Sequence, residues 1–306
     1  MIGEREYRAF DPRRVLVDGA YLRTLERFPS TAPILCALAS RMSYCAVPAW
    51  RTQLVRNATL ALGTQASTAE RRRCAQAMLR ATQSAIADVM AASSATPDEL
   101  CSRVAEFGGT DIYLRARSLR RGVLIAGIHM GAFEPALAVL RRIEPRIHVL
   151  FQADPMPRFE RARAALRAKL GIIEHRLSEG VGAWSALLDA LRADEAFVMH
   201  ADRTMQGQRG VRMSFLGTSD AELPPGPVRL AAAAGAPIVP TFCVRLPSGL
   251  RVWADEVIEM EEARLAAADV ADHPAQRRLV ASMERAIRAH PEQWMAFMDL
   301  RGGDPQ

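Results

Sequence analysis

One stretch constrains this chain more than any other: Gly122-Val-Leu-Ile-Ala-Gly-Ile-His-Met-Gly-Ala-Phe-Glu-Pro135. From Val123 to Ile128 it is apolar almost without interruption, the pattern of a strand buried on both faces, and Glu134 to Arg142 then reads as a helix. His129 therefore stands where a buried strand ends. In open α/β sheets reactive groups gather at that end, because a loop there can point side chains into a crevice while the strand behind stays rigid. Gly131 lets the turn come close to a ligand, and Pro135 suits a first helical turn, where no amide hydrogen is needed. Glu134 falls in that same turn.

A histidine and a carboxylate so placed offer general base catalysis. A neutral imidazole takes a proton from a hydroxyl near neutral pH, and a carboxylate on its other nitrogen fixes the tautomer and stabilises the imidazolium that forms. Partners on one regular helix stand three or four residues apart, so a spacing of five serves only if His129 lies in the turn before the helix. The alternative is a histidine that caps the helix beside a solvated glutamate. Spacing alone leaves both readings open.

His129-Met-Gly-Ala-Phe-Glu134 resembles the H-x-x-x-x-[DE] signature of the lysophospholipid acyltransferase-like superfamily, and more narrowly its branch of bacterial lipid A biosynthesis acyltransferases. Further segments follow in the order of that branch: Arg56-Asn57 with Leu60-Ala-Leu-Gly63, Asp202 after a strand, and Phe215-Leu-Gly217. Pro224-Pro-Gly-Pro-Val-Arg-Leu-Ala231, Gly235-Ala-Pro-Ile-Val-Pro240 and Pro291-Glu-Gln-Trp294 complete the set, so the resemblance spans roughly residues 30 to 298. It implies an α/β fold of the glycerolipid acyltransferase kind. It also implies transfer of an acyl chain from an acyl-carrier-protein or coenzyme A thioester to a hydroxyl or amine of an amphipathic acceptor, with no cofactor. His129 and Glu134 would be the catalytic pair. Gly131, Phe133, Arg167, Asp202, Arg203, Arg212 and Gly217 would contact substrate, Arg167 as the match to an arginine that stands four residues before a glycine.

Composition sets outer bounds. The 306 residues, 49% hydrophobic and 24% charged, are ample for a large core, and the net charge of +6 favours anionic partners such as a membrane surface, a phosphorylated glycolipid or an acidic carrier protein. Lys169 is the only lysine among 40 basic residues, an imbalance that reflects coding composition more than mechanism. No aromatic-studded basic stripe or zinc-finger spacing points to nucleic acid. The 5 cysteines, Cys36, Cys45, Cys74, Cys101 and Cys243, are odd in number and lack a C-x-x-C pair, which argues against a disulfide framework or structural zinc and for a reducing, cytoplasmic setting. The start, Met-Ile-Gly-Glu-Arg-Glu-Tyr-Arg, carries acidic residues and no apolar signal core. No run is long and apolar enough for a membrane span, although the resembled branch commonly begins with a transmembrane anchor. Peripheral attachment to the cytoplasmic face of the inner membrane fits, with Ile34, Leu35, Tyr44, Val47 and Trp50 either dipping into the interface or forming an ordinary helical core segment.

In chain order, a helical portion over residues 1–105 precedes an α/β core over residues 106–306, and the lack of a Pro/Ser-rich linker between them predicts one continuous domain. Helices are expected over Arg14–Arg27, Ala32–Tyr44 and Thr68–Ala91, the last capped by Ser67 or Thr68, and another opens at Thr96-Pro-Asp-Glu. Strands over Arg146–Gln152, Ile172–Leu177 and Glu195–His200 alternate with helices over Arg158–Leu170 and up to Arg192, a rhythm that implies a largely parallel sheet. Arg158, Arg161, Arg163 and Arg167 make the first of those helices basic, which fits a solvated face or a phosphate site equally. Asp202 is delivered to the same sheet edge as His129, where it either organises the site through hydrogen bonds to a turn or to an arginine or simply bonds its own turn amides, and Arg203, Arg209 and Arg212, on a loop with Gly207 and Gly210, are placed to grip an anionic head group. A helix over Val228–Ala234, a strand pair around Pro247-Ser-Gly249 and a closing helix over Pro274–His290 follow.

Other chemistries find less support. Gly180-x-Gly182 lacks the third glycine of a dinucleotide fingerprint, Ser185 standing in its place, and no G-x-S-x-G elbow or H-E-x-x-H spacing occurs. His148, His175, His200, His273 and His290 read as structural. The expectation is a lipid A or related glycolipid acyltransferase. Its alternatives are a tailoring acyltransferase for another lipid or natural product, or a noncatalytic basic protein that binds membrane or carrier protein.

Overall fold

A computed structural model describes residues 12–204 and 208–301. Five helices lead: α1 (Pro12–Arg27), α2 (Ala32–Ala46), α3 (Pro48–Leu62), α4 (Thr68–Ala92) and α5 (Pro97–Ser102). Two of their starts carry full capping boxes. The Ser67 hydroxyl accepts from the Glu70 amide while the Glu70 carboxylate accepts from the Ser67 amide, and Thr96 and Glu99 repeat the exchange ahead of Pro97. Each box satisfies two amides that a helix start leaves open, typically worth about 1 kcal/mol.

The α/β portion runs β1 (Val104–Gly108), α6 (Thr110–Ser118), β2 (Val123–Gly127), α7 (Phe133–Arg141), β3 (Ile147–Phe151), α8 (Pro157–Lys169), β4 (Ile173–Arg176), α9 (Val181–Arg192) and β5 (Ala196–His200). It continues through β6 (Val211–Phe215), β7 (Thr218–Leu223), α10 (Gly226–Ala234), β8 (Ile238–Leu246), β9 (Gly249–Ala254), α11 (Ala267–Val270) and α12 (Pro274–Ala289). Seven strands form one sheet in the order β1-β9-β8-β2-β5-β3-β4, and β6 pairs with β7 in a separate antiparallel hairpin. From β8 to β4 every pairing is parallel; only β8 with β9 is antiparallel. The α/β class with a largely parallel sheet is as expected from the strand and helix rhythm.

β2 lies at the centre of the sheet, and its alternation divides the core. Leu124 and Ala126 pack with Leu54 of α3, Met78 and Leu79 of α4, Val228 of α10 and Met283 of α12. Val123 and Ile125 face the other way, onto Leu137 of α7 and Leu166 of α8. Burying a side chain of this size stabilises the fold by about 1.5–3 kcal/mol, so β2 is held firmly from both sides. Of the N-terminal helices, α3 and α4 share the first of these cores with the sheet.

Several elements escaped the sequence reading. α3, β1, α6 and β6 were not expected as such, since β1 is half-exposed and β6 alternates polar and apolar residues on a two-stranded ribbon. The first residues of the chain and Gly207 lie outside the described residues. On α2 the outward face carries Ile34, Leu38 and Met42, each more than half exposed, while Leu35 and Tyr44, and Trp50 of α3, pack partly inward. No single described helix is long and apolar enough to cross a membrane. Residues Pro29–Ala46 and α3 would reach that length only together, and they meet at 102°.

Candidate active site

The site grows from the register of two parallel strands. β2 and β5 pair residue for residue from Val123 with Ala196 to Gly127 with His200, so the positions two residues further on, 129 and 202, again stand opposite one another. The Ala201 amide donates to the Gly127 carbonyl at 2.8 Å and carries the pairing past the strand ends. The result is a contact between His129 Nδ1 and Asp202 Oδ1 at 2.7 Å. Asp202 Oδ2 accepts from the His129 amide at 3.2 Å and from the Trp294 indole Nε1 at 3.0 Å. The carboxylate is only 2% exposed and has no freedom to turn away.

This arrangement fixes the chemistry of the imidazole. Burial drives the Asp202 pKa up, but His129, with which it bonds and pairs electrostatically, and Arg203 overcome that and hold it well below the usual carboxylate range. A carboxylate that is always ionised accepts from Nδ1–H, which leaves the Nε2 lone pair as the free base. The His129 pKa is itself lowered, first by burial and then by the Arg203 charge, with Asp202 acting in the opposite sense. His129 is therefore neutral near pH 7.

The C-terminal segment completes the support. The Met295 amide donates to the His129 carbonyl at 2.8 Å, and Arg203 Nη1 donates to the Met295 carbonyl at 3.1 Å. Asn57 of α3, 1% exposed, holds the next turn through its amide nitrogen, which donates to the carbonyls of Ala296 and Met298 at 2.9 and 3.1 Å. Phe215 packs edge-on against Trp294, ring centroids 6.1 Å apart. Three segments far apart in sequence, Arg56-Asn57, Phe215-Leu-Gly217 and Pro291-Glu-Gln-Trp294, thus converge on the ribbon that clamps Asp202 and His129.

His129 opens into a cavity of about 1540 Å³. Its walls are apolar on the side of Val149, Phe151, Met156 and Phe159 and again at Trp184 and Leu188, while Arg163, Arg203 and Arg209 line it as cations. Gly131 also lines it, at φ +61°, and a Cβ there would collide with the Cys243 carbonyl. Gly226, from the Pro224-Pro-Gly-Pro segment, meets the Trp184 ring in the same wall: a Cβ on it would stand 3.0 Å from the indole.

The expected pairing of His129 with Glu134 differs from what is observed. Glu134 lies in the first turn of α7, and Oε1 of its buried carboxylate accepts from Arg163 Nε at 2.6 Å and Arg167 Nη1 at 3.3 Å; no hydrogen bond or ion pair joins it to His129. The physical reason is the sheet. The strand beside β2 offers a carboxylate in register, whereas the helix turns Glu134 towards α8. Glu134 still lines the cavity, and its Oε2 is buried without a hydrogen-bond partner among the described residues.

Arg167 is corrected as well. It is 1% exposed, pairs with Glu134, with Glu160 at 2.9 Å and with Glu174, and lies 4.5 Å over the Phe151 ring, so it braces the cavity from behind and has no open face for phosphate. Arg163, one turn earlier, reaches the cavity instead. Phe133 and Arg203 line the cavity. Arg212 does not: it is exposed on β6, 3.6 Å from Asp220. Gly217 occupies the open turn between β6 and β7, away from the lining. Among the described residues Asp202 bonds no arginine; it holds the turn after β2 by accepting from the His129 amide, and it also binds the His129 ring and the Trp294 indole. His200, read as structural, lines the cavity with its ring 4.0 Å from that of His129. Among the described residues no three His, Cys, Asp or Glu side chains gather as a metal site would need.

No curated protein matches the chain. The model of the bacterial lipid A biosynthesis acyltransferases matches residues 19–300, a span that contains the sheet, the cavity, His129, Asp202 and the Trp294 clamp. The chain belongs to the bacterial lipid A biosynthesis acyltransferase family.

Proposed function

We propose that the protein moves a fatty acyl chain from an acyl-carrier-protein or coenzyme A thioester to a hydroxyl, or an amine, of a lipid A-like glycolipid. The observation that carries this reading is His129, held by Asp202 at 2.7 Å and open to a cavity whose walls are apolar and whose charged side chains include Arg163, Arg203 and Arg209. An apolar channel suits an acyl chain, and guanidinium groups suit the phosphates of donor or acceptor.

In the reaction His129 Nε2 takes the acceptor's proton as its oxygen attacks the thioester carbonyl. The C–O bond forms, the carbonyl electrons move onto oxygen, and the imidazolium is stabilised by Asp202. Collapse breaks the C–S bond, and the thiolate recovers the proton from His129. No acyl-enzyme is needed. Glu134 acts at one remove, setting Arg163 in the cavity wall through the ion pair at 2.6 Å.

The acceptor would be presented at an anionic membrane surface. Ile34, Leu38 and Met42 stand on one outward stripe of α2, with exposed arginines Arg27, Arg41 and Arg51 nearby in sequence, a combination suited to shallow insertion among anionic lipids. α4 links the two features: its Ile86 packs with Leu35 and Cys36 of α2 and lines the cavity.

The test is acyl transfer from labelled acyl-carrier protein or acyl-coenzyme A into a bacterial lipid extract, by the parent and by His129→Ala. The parent should label a glycolipid and the variant should not. Equal labelling by the two would remove the mechanism, and tight vesicle binding by both with no transfer would favour a binding protein.

A further inference from the structure

His200 ends β5, and its ring is packed from three sides. The His129 ring lies 4.0 Å away at a 42° tilt, the Phe133 ring meets it edge-on at 4.2 Å, and Gly127 of β2 leaves room beneath it. A Cβ at position 127 would stand 3.4 Å from His200 Cδ2 and 3.9 Å from Nε2. The remaining side is the cavity that His129 opens into.

The ring nitrogens of His200 make no hydrogen bond to any described residue. The imidazoles of His129, His148, His175 and His273 do. His148 engages both of its nitrogens, with His175 at 2.8 Å and Glu195 at 2.6 Å, and His129 is tied to Asp202. The half-buried His200 ring is not sealed in: no nitrogen of it is among the buried atoms without a partner, and it lines the cavity. Its free N–H is therefore placed to meet an atom of whatever the cavity holds.

Its protonation state defines what it can offer. Burial, and after it the neighbouring His129, lower the His200 pKa well below its ordinary value; Arg203 and Arg163 act in the same sense and Asp202 against it. Near pH 7 it is a neutral ring with one N–H to donate. Neutral donors aimed at developing negative charge serve well as oxyanion ligands, since they give up no proton during the reaction.

We propose that His200 contacts the substrate directly, donating a hydrogen bond to the carbonyl oxygen of the acyl thioester and to the oxyanion that this oxygen becomes. This rests on the acyl-transfer reading above. The site then divides its work between two stacked rings. His129 takes the acceptor's proton and later yields it to the leaving thiolate. His200 keeps its own proton throughout and meets the charge on oxygen.

The test compares the parent with His200→Phe, which keeps the ring and loses the donor, and His200→Gln, which keeps a donor. Two acyl-coenzyme A analogues serve as probes, each also loaded on acyl-carrier protein: a ketone with CH2 in place of sulfur, and an S-alkyl thioether without the carbonyl. The parent should bind the ketone at least about tenfold tighter than the thioether. His200→Phe should bind both alike and transfer acyl groups about 10²–10³-fold more slowly, while His200→Gln keeps part of both. A ketone preference that survives in His200→Phe, or is absent from the parent, would overturn the role of His200 and leave acyl transfer standing. A parent that binds neither analogue and transfers nothing would sink the acyl-transfer reading, and this inference with it.

Discussion

Asp202 accepts from an imidazole, an amide and an indole at once, so each donor can be removed singly. Trp294→Phe keeps the packing against Phe215 and deletes one donor; kcat should fall by about tenfold, with circular dichroism unchanged. Glu134→Gln acts differently. It removes charge from a carboxylate that offsets Arg163 and Arg167, of which Arg167 is fully buried, and breaking a buried pair in this way costs about 3–5 kcal/mol. Denaturant unfolding should show that loss as a lowered midpoint, whereas the rate per folded molecule should suffer less than from a change at Asp202. The histidines also set a pH dependence. His129 and His200 both have pKa values below the roughly 6.5 of an unfolded chain, so in acid the unfolded state binds protons that the folded state does not. Stability should therefore fall as pH drops from about 7 to about 5, by at most about 1.4 kcal/mol per pH unit for each such histidine, and His200→Phe should flatten the slope of urea midpoints measured across that range.

At the scale of elements, what was legible in the sequence was whatever is written locally. The continuous apolar run of β2 and the Ser67 and Thr96 boxes are local signals, and helices and strands stand within a few residues of where these put them. The place of His129 was legible for the same reason, at the end of a buried strand. Its carboxylate was not. Glu134 is near in sequence, but Asp202 is near in register, and register depends on which strands become neighbours. The ion pairs of Arg167 were hidden likewise, because Glu134 and Glu174 come from separate elements. The conjunction of α3 with the C-terminal ribbon gives a test at this scale. Asn57→Ala takes the side-chain donor from the Ala296 carbonyl and leaves the Met298 carbonyl with that of Gln53 alone, which should lower stability by about 1–3 kcal/mol and loosen Trp294. Tryptophan fluorescence and kcat/KM, followed together, should both change; a stability loss without any change in kcat/KM would show that the ribbon does not support the site.

Across the whole molecule, the chemistry, the cavity and the apolar stripe of α2 lie along one line of packing. The cavity begins at His129 and runs beside α4, and α4 packs against α2. Replacing Ile34, Leu38 and Met42 together by serine should leave folding nearly intact, since all three are exposed, yet weaken binding to anionic vesicles by at least tenfold in a flotation assay. Transfer to a short, water-soluble acceptor should then be unaffected while transfer to a vesicle-borne one declines. Binding that survives the triple replacement would move the membrane face elsewhere. The account as a whole depends on the carboxylate that holds the base, and Asp202→Asn isolates it: the side chain keeps its shape but no longer favours the tautomer that frees Nε2. On folded protein the rate of acyl transfer should drop about 10³–10⁴-fold with KM little changed; a rate within about threefold of the parent would contradict the claim that Asp202 sets His129 to work.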